Sequence, residues 1–506
     1  MAWDGVNLTD LNNFMKNYAS GTIVPDLYTW GTLYDALKSS VHKNEFRGDA
    51  VEQLIQTTHP FTGTAFGENV AIPYPSPIGF TKNWIPLKEV IVNAGITKQA
   101  LDRAVGGDAS WGRAVDAVLR AQRQEFQWLM ELCAIGDGTG RLARVVTSDY
   151  SGTTMTVVCD NTYCDFGWEN VALLKKGMRV EIFSATGLQV SDAANGTYDA
   201  AATNEWTVTG VTFGNRANGA ATTGSFTFTA ANSIDDDDSA GIVDGSIVYL
   251  AGTRSKTLSD FAGTGAGSPA RAYWAENLQS TYDVLAALPM GLVGLVADNV
   301  NATKKYQDGV TESTHIQCQL DTFQGLARAS YPTLNAAVYN GADLGGTKET
   351  PEDWDLSVIS DAINQNYAGT GKWTDLLLCS SHLAMAINRR NRSEQNFSVN
   401  VSTTGNLNQN TVGAQFPNTF LRPDGAPIPI KVSNTIPANV LYGLCTEDLD
   451  WWTKGNFDFL RLNGEVWDKS YDDRYANFEA PFGGYSQIGA KRCDSQWVIQ
   501  DMKNNI

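Results

Sequence analysis

The sequence predicts an α+β fold built round one long helix, with a small all-β unit inserted in mid-chain. Three observations predict it. Residues 108–140 carry a helical apolar stripe, residues 142–253 break into short turn-bounded strands, and residues 355–500 alternate helix with strand. In the first stretch, DASWGRAVDAVLRAQRQEFQWLMELCAIGDGTG, the residues Trp111, Val115, Val118, Leu119, Phe126, Leu129, Leu132 and Cys133 recur mostly three and four apart. That spacing places them on one face. Arg113, Asp116, Arg120, Arg123, Glu125 and Glu131 form a charged face for water or a polar neighbour. Ser110 is the expected N-cap and Gly136-Asp137-Gly138 the stop. About 25 helical residues make a rod of roughly 38 Å, a strut rather than an ordinary globular helix.

Gly136, Gly138 and Gly140 also suggest a phosphate loop. Such loops follow a strand and open a helix, because the phosphate sits at the helix N-terminus. Here the glycines follow a helix and no Lys-Ser/Thr comes after them, so a helix cap and tight turn is the better account.

Composition narrows the function. A chain of 506 residues can bury one large core or two to four smaller ones. With 42% hydrophobic residues, 14 Trp and 20 Phe it is not a disordered chain. Few charges and 47 Gly suit a strand- and turn-rich protein whose surface is covered by its own copies. The net charge of −18 tells against a dedicated nucleic-acid binder, which needs a basic face. The one dense basic run, Arg389-Arg390-Asn391-Arg392, reads first as a solvated helix C-terminus, then as a subunit contact, and last as a phosphate contact. Seven scattered cysteines (Cys133, Cys159, Cys164, Cys318, Cys379, Cys445, Cys493) read as reduced thiols, with Cys159 and Cys164 close enough to pair or bind metal. The histidines His42, His59, His315 and His382 are not spaced as zinc ligands. No signal peptide is visible, and the longest apolar run, Val284 to Ala297, contains Pro289 and is too short to span a membrane. A soluble protein, not exported by that route, is expected.

Along the chain, residues 1–45 read as an arm of two small amphipathic helices, one on Leu11, Phe14, Met15 and Tyr18, the other on Trp30, Leu33, Tyr34, Leu37 and Val41. Residues 46–95 hold strands at Val51–Thr57, Asn69–Ile72 and Leu87–Val92, with Pro73, Pro75 and Pro77 between. So thin an excursion is marginal alone. Residues 142–253, with strands near Thr153–Val158, Met178–Phe183, Trp206–Thr209, Ser225–Thr229 and Ile247–Leu250, form an inserted β-barrel or sandwich of about 110 residues. Asp235–Asp238 reads as a solvated acidic loop rather than a calcium loop. Residues 254–350 suggest irregular α+β packing, with a helix near Ala272–Leu288 and no chemistry assigned. In 351–450 come a capped helix at Asp355–Ile363, a strand at Thr374–Ser380, a helix at Ser381–Asn388 and strands Pro427–Val432 and Asn439–Leu444 leading to Asp448. Residues 451–506 hold Asp472–Phe478 and a closing strand, Lys491–Gln500.

Two stretches carry a resemblance. The first is Ile96-Thr97-Lys98-Gln99-Ala100-Leu101-Asp102 followed by the long helix and its GDGTG stop. The second is the ordered series helix, strand, helix, Gly425-Ala426-Pro427-Ile428, a strand into an acidic turn, and Asp473-Arg474 before a terminal strand. Over roughly residues 46–142 and 355–500 the chain resembles the tailed-bacteriophage major capsid proteins of the Hong Kong 97 type. The resemblance implies an N-terminal arm (1–45), an E-loop laid on a neighbouring subunit (46–95), a P-domain with spine helix (96–141), an extension of the P- or A-domain (254–350), an A-domain (351–450) and P-domain return strands (451–506). The inserted β-domain (142–253) departs from the minimal pattern.

It further implies self-assembly as hexamers and pentamers into an icosahedral shell round double-stranded DNA, formed in the host cytoplasm and ending in the virion. Scaffolding protein, portal and decoration protein are the implied partners, packaged DNA is touched without sequence preference, and no membrane is involved. The short arm leads to the expectation of a separately encoded scaffold and no proteolytic trimming. The β-domain is expected on the outer face, and replacing residues 150–250 with a Gly/Ser linker to leave a core that folds. Some relatives cross-link through lysine; Lys82, at the expected E-loop tip, is the candidate, read here as a solvated lysine.

Two other readings stay open. A nanocompartment shell of the encapsulin kind uses the same fold, and an acidic β-rich glycoside hydrolase needs only two carboxylates. No GxSxG, HExxH or Walker pattern occurs, and Gly484-Tyr485-Ser486-Gln487 lacks the second glycine of a nucleophile elbow. No catalytic residue, cofactor or metal is expected.

Overall fold

The structure, a computed structural model, describes residues 41–43, 50–58, 78–97, 288–297, 354–394, 468–469, 477–499 and 502, and three further stretches. These are 109–252 without 137, 139, 160–170, 184–189, 193–204, 213–223, 235–240 and 244–245; 322–339 without 324–325; and 419–460 without 434, 437–439 and 455–456. Strands and helices are numbered along the chain. The predicted arm helices, the Asn69–Ile72 strand, Asp235–Asp238 and the Ala272–Leu288 helix apart from Leu288 lie outside the described residues. Val41, expected in the second arm helix, instead opens a strand.

The long helix α1 spans Ala109–Ile135, 27 residues, against a sheet of six strands. In that sheet β1 (Val41–Lys43), β19 (Leu449–Thr453), β22 (Asn477–Ala490) and β20 (Asp458–Phe459) lie side by side. Strands β4 (Lys88–Thr97) and β21 (Asp468–Lys469) also pair with β22. β4 and β22 run antiparallel from Asn477↔Thr97 to Ser486↔Lys88. Alternation sends Val90, Val92, Ala94 and Ile96 to the buried face and leaves Glu89, Ile91 and Asn93 exposed. Phe126 of α1 meets Phe482 edge-on at 5.1 Å between centroids. The Gln122 side-chain amide donates to the carbonyls of Val92, at 2.8 Å, and Ala480, so one residue binds the helix to two neighbouring strands.

Ser110 lies inside the first turn of α1 and so is not its cap. The stop behaves as expected of a turn: Gly138 and Gly140 take φ of 87° and 77°, the left-handed region that a Cβ disfavours. The turn is also a junction. Carbonyls of Gly136, Gly138 and Gly140 accept from Gly291 (2.9 Å), Leu288 (3.1 Å) and Leu250 (2.9 Å) respectively. Two distant segments, the end of a strand at Leu250 and residues 288–291, therefore close round the end of the helix, and Trp128 to Ile135 are buried on every side. Glu131, expected on the charged face, has no exposed surface; its carboxylate accepts from the Ser433 hydroxyl at 3.0 Å and the Thr435 hydroxyl at 3.4 Å.

Directly after the junction, β5 (Arg141–Ser151) opens a seven-stranded sheet with β6 (Thr154–Cys159), β7 (Arg179–Phe183), β8 (Trp206–Thr207), β9 (Gly210–Thr212), β10 (Gly224–Thr229) and β11 (Ile247–Leu250). The order is β8-β7-β11-β5-β6-β10-β9. Its two ends are one piece of chain. Thr207 pairs with Arg179 of β7, Val211 pairs with Phe226 of β10, and between them Val208 donates to Met178 and Thr209 to Thr227. The sheet thus closes into a barrel filled by Met155, Val157, Val180, Ile182, Trp206, Phe226 and Phe228. Cys159 is buried in this core and forms no disulfide. The barrel core runs without a break into the residues under α1, from Leu142 and Val145 to Leu132, Ile135 and Leu292. That continuity corrects the expectation of a clean excision at residues 150 and 250, because β11 pairs with β5 and would leave with the deleted piece.

A second six-stranded sheet has the order β14-β23-β18-β15-β17-β16: β14 (Ala337–Tyr339), β23 (Trp497–Ile499), β18 (Leu441–Leu444), β15 (Leu376–Cys379), β17 (Pro427–Val432) and β16 (Thr419–Leu421). Two small pairs complete the strands among the described residues, β2 (Ala50–Thr58) with β3 (Gly79–Pro86), and β12 (Thr322–Phe323) with β13 (Leu326–Ala327). Segment 288–297 includes the one-turn helix α2 (Leu292–Leu295). Helices α3 (Leu356–Thr370) and α4 (Ser381–Glu394) cover one face of the second sheet through Ile359, Ile363, Leu383 and Ile387. α3 is capped at both ends. The Asp355 carboxylate accepts from the Ser357 N–H, and Gly371 closes the C-terminus with φ 71°. The other face, through Leu376, Leu378, Tyr442, Leu444 and Val498, joins the core shared by α1 and the barrel. Between these bodies Arg328 has no exposed surface and donates to the carbonyls of Ala297 (2.9 Å), Gly294 and Leu334. One buried guanidinium thus ties residues 294 and 297 to residue 334, all within the stretch with no chemistry assigned.

Candidate assembly surfaces

The β2–β3 ribbon has two unlike faces. Register pairs Val51 with Ile85, Ile55 with Thr81, Leu54 with Lys82 and Gln56 with Phe80. Val51 and Ile85 pack on Trp452, and Ile55 is buried, so this face anchors the ribbon. The opposite face is bare: Leu54 is 62% exposed and Phe80 61%. Ile78, just before β3, is exposed beside them. A strand stands at Gly79–Pro86, a stretch that the sequence reading did not mark as one. The signal for the bare face was present: Leu54 and Phe80 are apolar residues out of phase with the buried set. Lys82 does not sit at a loop tip. It lies within β3 and pairs with Glu52 at 2.5 Å.

A second bare face belongs to β16 and β17. Phe420, Ile428 and Ile430 point to the helices. Leu421, 65% exposed, stands opposite Pro427, and Thr419 opposite Pro429. Leu378 of β15 is buried in the central core, while its register partner Lys431 is exposed. The face that the core covers on β15 therefore runs out uncovered onto β17 and β16. Beside it Arg422 lies over the Trp373 ring at 5.4 Å, and Trp373 stacks on Tyr367 at 3.8 Å.

Charged groups near these faces are largely paired. Lys372 and Glu447 bond at 2.9 Å, which holds the lysine above its usual range and the carboxyl below its own. Arg422 pairs with Asp424 and Arg492 with Asp494. The basic run lies within α4, which continues to Glu394 beyond the expected Asn388 end. Arg390 is set over the Trp354 ring at 4.1 Å, a packing role rather than a solvated terminus. Gly484-Tyr485-Ser486 falls inside β22, with Ser486 buried, not on a strand-to-helix turn. Burial raises the thiols of Cys445 and Cys493 to about 11 and Cys379 to about 12, and Cys133 higher still. Among the described residues no group of three His, Cys, Asp or Glu is placed to hold a metal. No described helix is long and apolar enough to cross a membrane.

No protein-family model matches the chain, and no curated protein matches it in sequence. Among solved structures, the capsid asymmetric unit of cyanophage A-1(L) aligns with 99% of this chain and 97% of its own, at 10% identity and a TM-score of 0.43. The capsid of a native GTA particle aligns with 95% of this chain and 92% of its own, at 9% identity and a TM-score of 0.37. Both are capsids, the class the sequence resembles. The SrpI encapsulin complex of Synechococcus elongatus aligns with 29% of this chain and 50% of its own, at 13% identity and a TM-score of 0.19.

Proposed function

We propose that this chain is a major capsid protein that self-assembles, as hexamers and pentamers, into an icosahedral shell round the double-stranded DNA of a tailed phage. One observation carries the reading: the β2–β3 ribbon is fixed by one face at Val51 and Ile85 and presents a bare apolar face at Leu54 and Phe80. Two strands with an uncovered apolar side are marginal in water, and a neighbouring copy is the cover that a shell supplies. The spine-like helix on a long antiparallel pair and the separate helix-covered sheet agree with the resemblance in the sequence. Within this reading the segments keep the boundaries set out above, from the arm at 1–45 to the return strands at 451–506. The barrel is an insertion on the outer face. Scaffolding, portal and decoration proteins are its assembly partners, and the shell forms in the host cytoplasm. The charge of −18 suits a wall that lets the genome slide rather than gripping its phosphates.

Electron microscopy and sedimentation of the purified full chain test the reading. Capsomers, sheets or closed shells are expected. A monodisperse monomer at high concentration, alone and with the scaffolding protein, would overturn it. Packaged contents separate a phage shell, which holds DNA, from a nanocompartment, which holds protein.

A further inference from the structure

Resting on that reading, we propose that the barrels of two neighbouring copies meet face to face, each through the outward side of β5, β6, β10 and β9. The barrel has two unlike outer sides. Over β7 and β11, Phe183 stands opposite Ile247 and Glu181 opposite Tyr249, and all four are buried, so this side is seated within its own chain. The side over β6 and β10 is open. At its centre Thr156 stands opposite Thr227, both half-buried, and Thr154 opposite Thr229, both exposed. Four more Ser or Thr residues surround them, two on β5 and one each on β9 and β10, all exposed or half-buried. Asp149, at the β5 margin, is the one charged residue of these rows. The lattice is stiff. Threonine has little freedom at χ1, and the Thr209 hydroxyl, just after β8, bonds that of Thr227 at 3.0 Å.

That chemistry fits a second copy of itself. A hydroxyl both donates and accepts, so a lattice of hydroxyls complements its own twin, which a face charged with one sign cannot do. In a chain of net charge −18 copies repel on average, and this is a face that two of them can bring together without burying that charge. The same patch on both partners makes the contact isologous, so each barrel pairs once. Four strands about 4.8 Å apart and three rows about 6.8 Å apart give a face of roughly 14 by 14 Å. That is far below the ~800 Å² per partner of a stable complex. The contact therefore forms where the shell already holds two copies side by side, at high effective concentration.

Cross-linking tests the contact in assembled particles of the full chain carrying Thr156→Cys, with a bis-maleimide reaching about 10 Å, the spacing of stacked sheets. The native cysteines among the described residues are all buried, and the unsubstituted chain controls for the others. A covalent dimer without higher rungs is expected from the variant, and no dimer from the unsubstituted chain. Particles that form normally but give no dimer would overturn the contact and leave the shell reading standing. A ladder of higher rungs would mean head-to-tail or random encounters, and overturns it too. Failure of the unsubstituted chain to assemble would remove the shell reading and the contact with it. As a second measurement, Thr156→Glu with Thr227→Glu sets like charges against each other across the contact. The free subunit should keep its melting temperature, while particles of the double variant should come apart at a lower temperature than unsubstituted ones. Salt at about 1 M, with a Debye length near 3 Å, should narrow that gap. Particles of the double variant as stable as the unsubstituted ones would show that the face bears no contact.

Discussion

Glu131 lies on the charged side of the helix by periodicity, yet it is sealed from water under two hydroxyls of the segment after β17. A single-sequence period assumes one buried side. The last two turns of α1 have none exposed, because segments far along the chain, at 288–297 and 433–435, close over them. Leu129 was readable and is buried as expected; Leu129→Ala should cost about 2–5 kcal/mol through lost contacts and a cavity. Arg120 is exposed, and Arg120→Ala should stay within about 0.5 kcal/mol. Differential scanning calorimetry checks the pair, and equal melting temperatures would dismantle the placement of the helix. Asp355 was equally legible, as a cap before an apolar period. The Ser357 hydroxyl, with the backbone N–H groups of Ser357 and Val358, holds its carboxyl below the usual range. A depressed carboxyl contributes stability above its unfolded value, about 3.9, and loses it as pH falls through the folded value. Asp355→Ala should therefore destabilise by about 0.5–2 kcal/mol at neutral pH. The gap between the two proteins should narrow in acid below the usual carboxylate range, as urea titrations at several pH values would show.

Among the elements, the barrel strands announced themselves through alternation and turn residues, and five of them stand where the sequence put them. Their closure did not, because the piece that joins the two ends, residues 206–212, is too short to show a period. The register that makes it a bridge is set by Met178 and Thr227 across the barrel. Only the first strand of the ribbon was legible; its partner Gly79–Pro86 was not read as a strand, and only two out-of-phase residues signal the bare face. The second bare face, at Leu421 and Pro427, is illegible without the sheet order that puts β16 at an edge. Continuity of the barrel core with α1 makes a sharp contrast between two changes. Replacing residues 150–250 strips the partners of Leu142, Ala143 and Val145, none of which has exposed surface. That variant should lose its cooperative melt and bind a hydrophobic dye. Lengthening the two-residue loop Gly152-Thr153 between β5 and β6 by a few Gly/Ser residues adds only loop entropy, about 0.6 kcal/mol per doubling. Fluorescence-monitored melts of the two variants would separate these outcomes, and a cooperative excision product would show that the barrel stands free.

At the scale of the whole molecule, composition foretold reduced thiols, and the fold says where they are. Cys159 fills the barrel, Cys133 the helix end, Cys379 the helix-covered sheet, and Cys445 and Cys493 the junction between that sheet and the rest. Burial raises the last four thiols of that set and holds them neutral at pH 8. Brief iodoacetamide treatment of the native protein at pH 8, followed by peptide mass mapping, should leave all five unmodified and label them after denaturation. Labelling of any of the five in the native protein would mean that its core opens. Net charge was likewise legible and constrains the fold little, since charge counts say nothing about which face bears them. The closed barrel has one more consequence. A sheet with open sides invites another to knit onto it. Here the first and last strands are the same thread, so the weave has no selvedge to which a neighbouring sheet could be stitched.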